Sequence, residues 1–135
     1  MAIRTILHYP DPRLREPTRE VETVDDSIRE LISDMAETMY AAPGVGLAAP
    51  QIGESVRLFI IDIASDDEPS DLKVFINPEI VQKEGELIFQ EGCLSFPGVY
   101  EDVTRAAEVC VRATDENGES FELKADGLLG VAVQH

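Results

Sequence analysis

VCVRATDENGESFELKA, residues 109–125, reads as a β-hairpin and sets the class of the fold. Val109, Val111 and Ala113 alternate with Cys110 and Arg112. After the turn Asp115-Glu116-Asn117-Gly118 the alternation resumes with Phe121, Leu123 and Ala125. A period of two sends one set of side chains to a buried face, and an Asn-Gly pair supplies the left-handed backbone of a tight turn. Toward the N-terminus, VRLFIIDI (residues 56–63) is rich in β-branched and aromatic residues and predicts a buried strand. Residues 66–71 read as an acidic loop. Strand signals follow at 74–77, 80–83 and 86–89, and the Glu84-Gly85 pair between the last two predicts a second tight hairpin.

Upstream of the strands the period changes. Ile28, Leu31, Ile32, Met35, Ala36 and Met39 form one apolar stripe at helical spacing, which leaves Arg29, Glu30, Asp34 and Glu37 for solvent. Ser27 and Glu30 fit a capping box, Asp25 and Asp26 suit the positive end of the helix dipole, and Pro43-Gly44 ends the element. Residues 5–24, with Pro10, Pro12 and Pro17 among charges, predict an extended arm or surface turns. At the other end Asp126 is a candidate N-cap, and Leu128, Val131, Ala132 and His135 share one face of a second helix. No repeat, low-complexity stretch or linker interrupts the pattern. It predicts a single α+β domain over residues 1–135, with antiparallel β-sheets packed around the C-terminal helix and one long N-terminal amphipathic helix.

The 135 residues are enough to bury a core, and 44% hydrophobic with 28% charged residues is ordinary for a folded domain. Acidic side chains outnumber basic ones 27 to 11, a net charge of -16 that argues against direct contact with nucleic acid and otherwise favours solubility. No apolar run approaches the ~20 residues of a membrane span, and Met1-Ala2-Ile3-Arg4 does not open a signal peptide. The 2 cysteines, Cys93 and Cys110, do not make a disulfide framework, so a reducing, cytoplasmic location is expected.

Three segments carry chemistry. GVGLAAPQ, residues 44–51, sets two glycines around Val45, where a backbone can lie close to something else. It reads either as a helix stop and packed turn or as a site in which the Gln51 amide donates to a developing oxyanion. QEGCLSFPG, residues 90–98, puts Cys93 after a strand, as a small buried hydrophobe or as a thiolate that Gly92 presents on a sharp turn. His135 on its apolar helical face is either a satisfied core histidine or a metal ligand, the latter needing a second histidine one turn later, as in H-E-x-x-H.

Together and in this order, GVGLAAPQ, EGCLS and the Gln134-His135 pair after an apolar helical stretch resemble the signature motifs of the bacterial-type peptide deformylases. The opening Pro10-Asp11-Pro12-Arg13-Leu14 is similar as well, and the resemblance covers essentially the whole chain. It implies an amidohydrolase that removes the N-formyl group from formylmethionine at the start of newly made polypeptides. It further implies one divalent metal, Fe(2+) in the native state with Zn(2+) or Ni(2+) as substitutes, held by a cysteine and two histidines. On this chain Cys93 becomes the cysteine ligand and His135 the first histidine, while Gln51 and the Leu94 N–H become the oxyanion donors. Val45, Phe89, Leu128 and Val131 would line an apolar slot for methionine, and the backbone at Val45 and Gly46 would pair with an extended substrate. The partners implied are N-formylmethionyl peptides near the ribosome, with no nucleic acid, no membrane and a monomeric or weakly dimeric state.

The family's third motif continues past His135 with a catalytic glutamate and the second histidine, and the sequence stops there. Three expectations compete. The chain is a fragment of a longer enzyme, or a natural short variant that binds peptide N-termini without catalysis, or its terminal carboxylate stands in as an oxygen ligand.

Overall fold

The computed structural model describes residues 3–8, 11–64 and 71–134. Pro10 of the opening motif, most of the acidic loop at 66–71, and His135 lie outside them.

The amphipathic stripe forms helix α1, Asp26–Ala41. Its N-cap is Asp25, whose carboxylate accepts the Ile28 N–H at 3.0 Å, so Ser27 sits inside the first turn instead of capping it. A carboxylate both satisfies an orphan donor and complements the dipole, which favours Asp25 over a neutral serine. Leu31, Ile32, Met35 and Met39 are buried, each worth about 2 kcal/mol as a side chain removed from water. Asp34, assigned to solvent by the pattern, is buried at 4% exposure. The N-terminal arm covers it: Arg4 Nε lies 2.9 Å from Asp34 Oδ2, and the Arg4 N–H donates to Thr38 Oγ1 at 2.9 Å.

The strands are β1 Gly46–Ala48, β2 Leu58–Ile61, β3 Lys73–Glu84, β4 Leu87–Cys93, β5 Phe96–Arg105, β6 Glu108–Thr114 and β7 Ser120–Asp126. Five form one antiparallel sheet in the order β1-β2-β3-β6-β7, and β4 pairs with β5 in a separate two-stranded sheet. The α+β class with antiparallel sheets is therefore the one observed. The hairpin at 109–125 forms as its alternation predicts, closing at Thr114↔Ser120. In its turn Asp115 Oδ1 accepts the N–H groups of Asn117 and Glu119, and Gly118 takes φ 80°.

Two expectations fail in β3. The signals at 74–77 and 80–83 belong to one strand, which absorbs Pro78 in a stretch of shifted register between Ile76 and Glu79. Proline lacks the ladder donor, and a bulge spares the strand from ending. Asn77 there has φ 51°, and its side-chain amide both accepts from the Val21 N–H (2.7 Å) and donates to the Val21 carbonyl (2.8 Å). The Glu84-Gly85 pair does not make a hairpin. The edge of β3 at Gln82, Lys83 and Glu84 is already paired with Cys110, Val109 and Glu108 of β6, so the chain turns through Gly85 (φ 69°) into the second sheet.

The alternation along β2 and β3 builds two cores. Leu58, Ile60, Val74 and Ile76 face α1 together with Leu47, Ala49 and Ile52. Ile61 and Phe75 face the other way and join Val109, Val111, Ala113, Ala125 and Val133. Val133 belongs to helix α2, Gly127–Gln134, which follows β7 without a linker and packs on β7, β6 and β2. Cys110, whose role the sequence leaves open, is a buried residue of β6.

Candidate metal-dependent hydrolase site

GVGLAAPQ folds as more than a helix stop. After α1 the chain crosses Pro43 and Gly44, adds β1 to the edge of the five-stranded sheet, and ends in a single 3-10 turn, Ala49–Ile52, that carries Gln51. The register Gly46↔Ile61, Leu47↔Ile60, Ala48↔Phe59 and the bond from the Asp62 N–H to the Val45 carbonyl (2.8 Å) fix the alternation of this pair. Gly46 N–H and C=O therefore point away from β2, toward the outer edge of the sheet. The Ala48 N–H points the same way and is taken by Gln51 Oε1 at 3.0 Å, half of a capping box.

That bond orients the Gln51 amide. With Oε1 held by the backbone, Nε2 faces β4 and β5, where it lies 3.2 Å from Ser95 Oγ and 3.7 Å from Cys93 Sγ. Cys93 is the last residue of β4 and Leu94-Ser95 the turn into β5. Cys93 pairs with Phe96, and the ladder then shifts so that Gly92 pairs with Tyr100. Two glycines gain their meaning here. A Cβ on Gly44 would stand 2.8 Å from Leu94 Cδ1, so the first motif leaves room for the leucine of the second. A Cβ on Gly92 would stand 2.6 Å from the Tyr100 ring, so Gly92 makes space beneath an aromatic ring and does not take a left-handed turn.

Three further polar groups lie on the segments that carry the motifs, and their partners were not visible in the sequence. Ser95 is 4% exposed and accepts from Gln51. Glu91, two residues before Cys93, receives a bidentate pair from Arg105 with both bonds at 2.9 Å, and its side chain is 6% exposed. Gln134, beside His135, accepts the Ala106 N–H at 2.9 Å and donates to the Ala106 carbonyl at 2.8 Å, tying α2 to the start of β6. A serine inside EGCLS and a glutamine at a helix end carry no periodic or compositional signal.

The structure thus brings Gln51, Cys93 and Leu94 together, with Val45 and Gly46 on the adjoining edge. Phe89 lies on β4, and Leu128 and Val131 lie on α2; their side chains, and His135 altogether, are outside the described residues. Among the described residues no three His, Cys, Asp or Glu side chains converge. Cys93 is half-buried at a strand end beside a polar amide, and its thiol chemistry suits a borderline-soft divalent metal.

The family model for polypeptide deformylase matches residues 3–135. The chain belongs to the polypeptide deformylase family. A peptide deformylase from Azotobacter vinelandii is 56% identical over the whole of this chain, which covers 80% of that protein. Peptide deformylase 1 of Burkholderia multivorans is 52% identical, with 74% of its length covered. The crystal structure of a peptide deformylase from Legionella pneumophila superposes with a TM-score of 0.94 at 54% identity, over 99% of this chain and 78% of the other. That of Synechococcus elongatus, in complex with actinonin, has 45% identity and a TM-score of 0.94 over 98% and 72%. Deformylases are amidohydrolases of protein biosynthesis that use a divalent metal to remove the formyl group from nascent peptides. No helix among the described residues is long and apolar enough to cross a membrane.

Proposed function

We propose that this chain is a single domain that serves N-formylmethionine deformylation in its complete form, with Cys93 and His135 as two of the three metal ligands and with Gln51 and the Leu94 N–H as oxyanion donors. The metal proposed is Fe(2+), with Zn(2+) or Ni(2+) acceptable to the same donors. When bound, it supplies Lewis acidity and an activated water near neutral pH. Oxyanion stabilisation and substrate positioning fall to residues of this chain. Gln51, locked through Oε1, offers Nε2 to the oxygen on which charge develops as the formyl carbon turns tetrahedral, and the Leu94 N–H offers a second donor. The outward N–H and C=O of Gly46 take the peptide backbone in strand pairing. Val45, Phe89, Leu128 and Val131 shape the methionine slot, and α2 is the helix that presents the metal ligand. The substrate is met in the cytoplasm, near the ribosome, by a monomer or weak dimer.

The observation that carries this reading is the Gln51–Cys93 contact, which brings together two of the family's motifs. Metal content by elemental analysis, with formate release from formyl-Met-Ala-Ser, tests it. About one divalent metal per chain, lost together with formate release in Cys93→Ala, supports the assignment. Metal content unchanged in that variant removes Cys93 from the ligand set.

A further inference from the structure

Asp62 is 6% exposed and sits immediately after β2. Its carboxylate accepts three bonds: from the Tyr40 hydroxyl at 2.6 Å, from the Ala64 N–H at 3.0 Å and from the Asp71 N–H at 3.1 Å. Its own backbone N–H donates to the Val45 carbonyl at 2.8 Å. Tyr40 is in the last turn of α1 and Val45 directly precedes β1. One residue therefore grips both ends of segment 40–45, the crossing from helix to sheet edge, through its side chain at one end and its backbone at the other.

Most of what holds that crossing otherwise lies at its helical end, where the Gly44 N–H bonds back to the Met39 carbonyl at 2.8 Å. Val45 itself is 47% exposed and presents its side chain outward. A short edge strand is a poor template for a peptide unless its backbone direction is fixed in advance, because any ordering left to the moment of binding weakens the complex. The buried carboxylate provides that fixing. It has acceptor capacity for all three donors, and rotation of the Asp62 side chain would release Tyr40 together with the backbone beyond β2.

We infer that Tyr40 and Asp62 are positioning residues for peptide recognition: their hydrogen bond pre-sets the Val45–Gly46 backbone for pairing with the residues that follow the substrate's N-terminal methionine. The inference rests on the strand-pairing reading of Gly46 given above. Neither side chain is assigned a contact with the reacting atoms.

The test compares binding of two products that cannot turn over, methionine amide and Met-Ala-Ser amide, by NMR titration of the wild type and of Tyr40→Phe. In the wild type the longer peptide is expected to bind about tenfold tighter, the gain of a few backbone hydrogen bonds. Tyr40→Phe is expected to lose about fivefold of that advantage while the affinity for methionine amide stays within about twofold. Faster amide exchange at Asp62 should accompany the loss. If Tyr40→Phe keeps the full advantage, the positioning role is wrong although strand pairing stands. Equal weakening of both probes marks general structural damage and also overturns it. Absence of any advantage in the wild type sinks the strand-pairing reading itself, and this inference with it. Should Tyr40→Phe fail to fold, Asp62→Ala carries the same comparison, since it removes the acceptor of the Tyr40 hydroxyl and leaves the Asp62 N–H free to bond the Val45 carbonyl.

Discussion

The Gln51 Nε2 lies 3.7 Å from Cys93 Sγ, although the two residues are 42 positions apart, one on the 3-10 turn that follows β1 and the other at the end of β4 in the separate two-stranded sheet. The amide cannot turn over without giving up the Ala48 N–H bond to Oε1, so its donor face is committed toward the thiol. Gln51→Ala is expected to lower kcat by about 100-fold with metal content unchanged, the usual scale for loss of one oxyanion donor. Steady-state kinetics and elemental analysis on the same sample check it. A loss confined to KM would remove Gln51 from the transition state.

Removing Arg105 strips its guanidinium from the Glu91 carboxylate, whose side chain is 6% exposed. Arg105→Met should cost about 2 kcal/mol of stability, the scale for losing hydrogen bonds to a charged group whose partner guanidinium is one-quarter exposed. Adding Glu91→Gln should recover much of that by removing the buried charge. Denaturant melts of the single and double variants measure the coupling, and additive losses would refute it.

Gly92→Ala places a methyl group 2.6 Å from the Tyr100 ring, which is 64% exposed and has room to swing outward. A destabilisation of about 1 kcal/mol is expected. In a Tyr100→Ala background the same substitution should be close to neutral. Equal effects in both backgrounds would place the cost of the added methyl somewhere other than the ring.

Asp62 should dominate part of the acid response. The Tyr40 hydroxyl, then the Ala64 and Asp71 N–H groups and the Lys73 charge, hold its carboxyl below the usual range against the opposing effect of burial. A carboxyl with a lower pKa folded than unfolded stabilises the fold fully above its unfolded value, about 3.9, and loses that contribution as pH falls through the folded value. Asp62→Asn should melt lower than the wild type at neutral pH, with the gap narrowing below about pH 4. Thermal melts across that range decide it, and a gap independent of pH would rule it out.

The parts of this molecule that were legible in its sequence are those governed by local periodicity. The stripe from Ile28 to Met39 and the alternation around Asp115-Glu116-Asn117-Gly118 each bury one face, and each formed accordingly. Legibility ended where pairing depended on distant partners. The Glu84-Gly85 pair has good turn chemistry, yet β6, more than twenty residues onward, occupies the edge that a hairpin would have needed. Asp34 read as solvent-facing because Arg4, which covers it, lies outside any window around the helix. At the site, Gln51 and Cys93 were visible through their motifs. Ser95 and Asp62 were not, since a buried polar group is defined by its partners and those are contributed by the fold, and nothing around the exposed Tyr40 marked the distant carboxylate to which it donates.

The separation of the β4–β5 pair from the five-stranded sheet divides the labour of the molecule. Both hydrophobic cores are built on the larger sheet, whereas Cys93 rides on the smaller one. An opening that merely lifts that pair would dismantle the proposed centre while disturbing the interiors only at the edge where Leu94 packs. Inactivation on warming should therefore precede the cooperative melt and reverse on cooling, making catalysis the more sensitive thermometer of this fold.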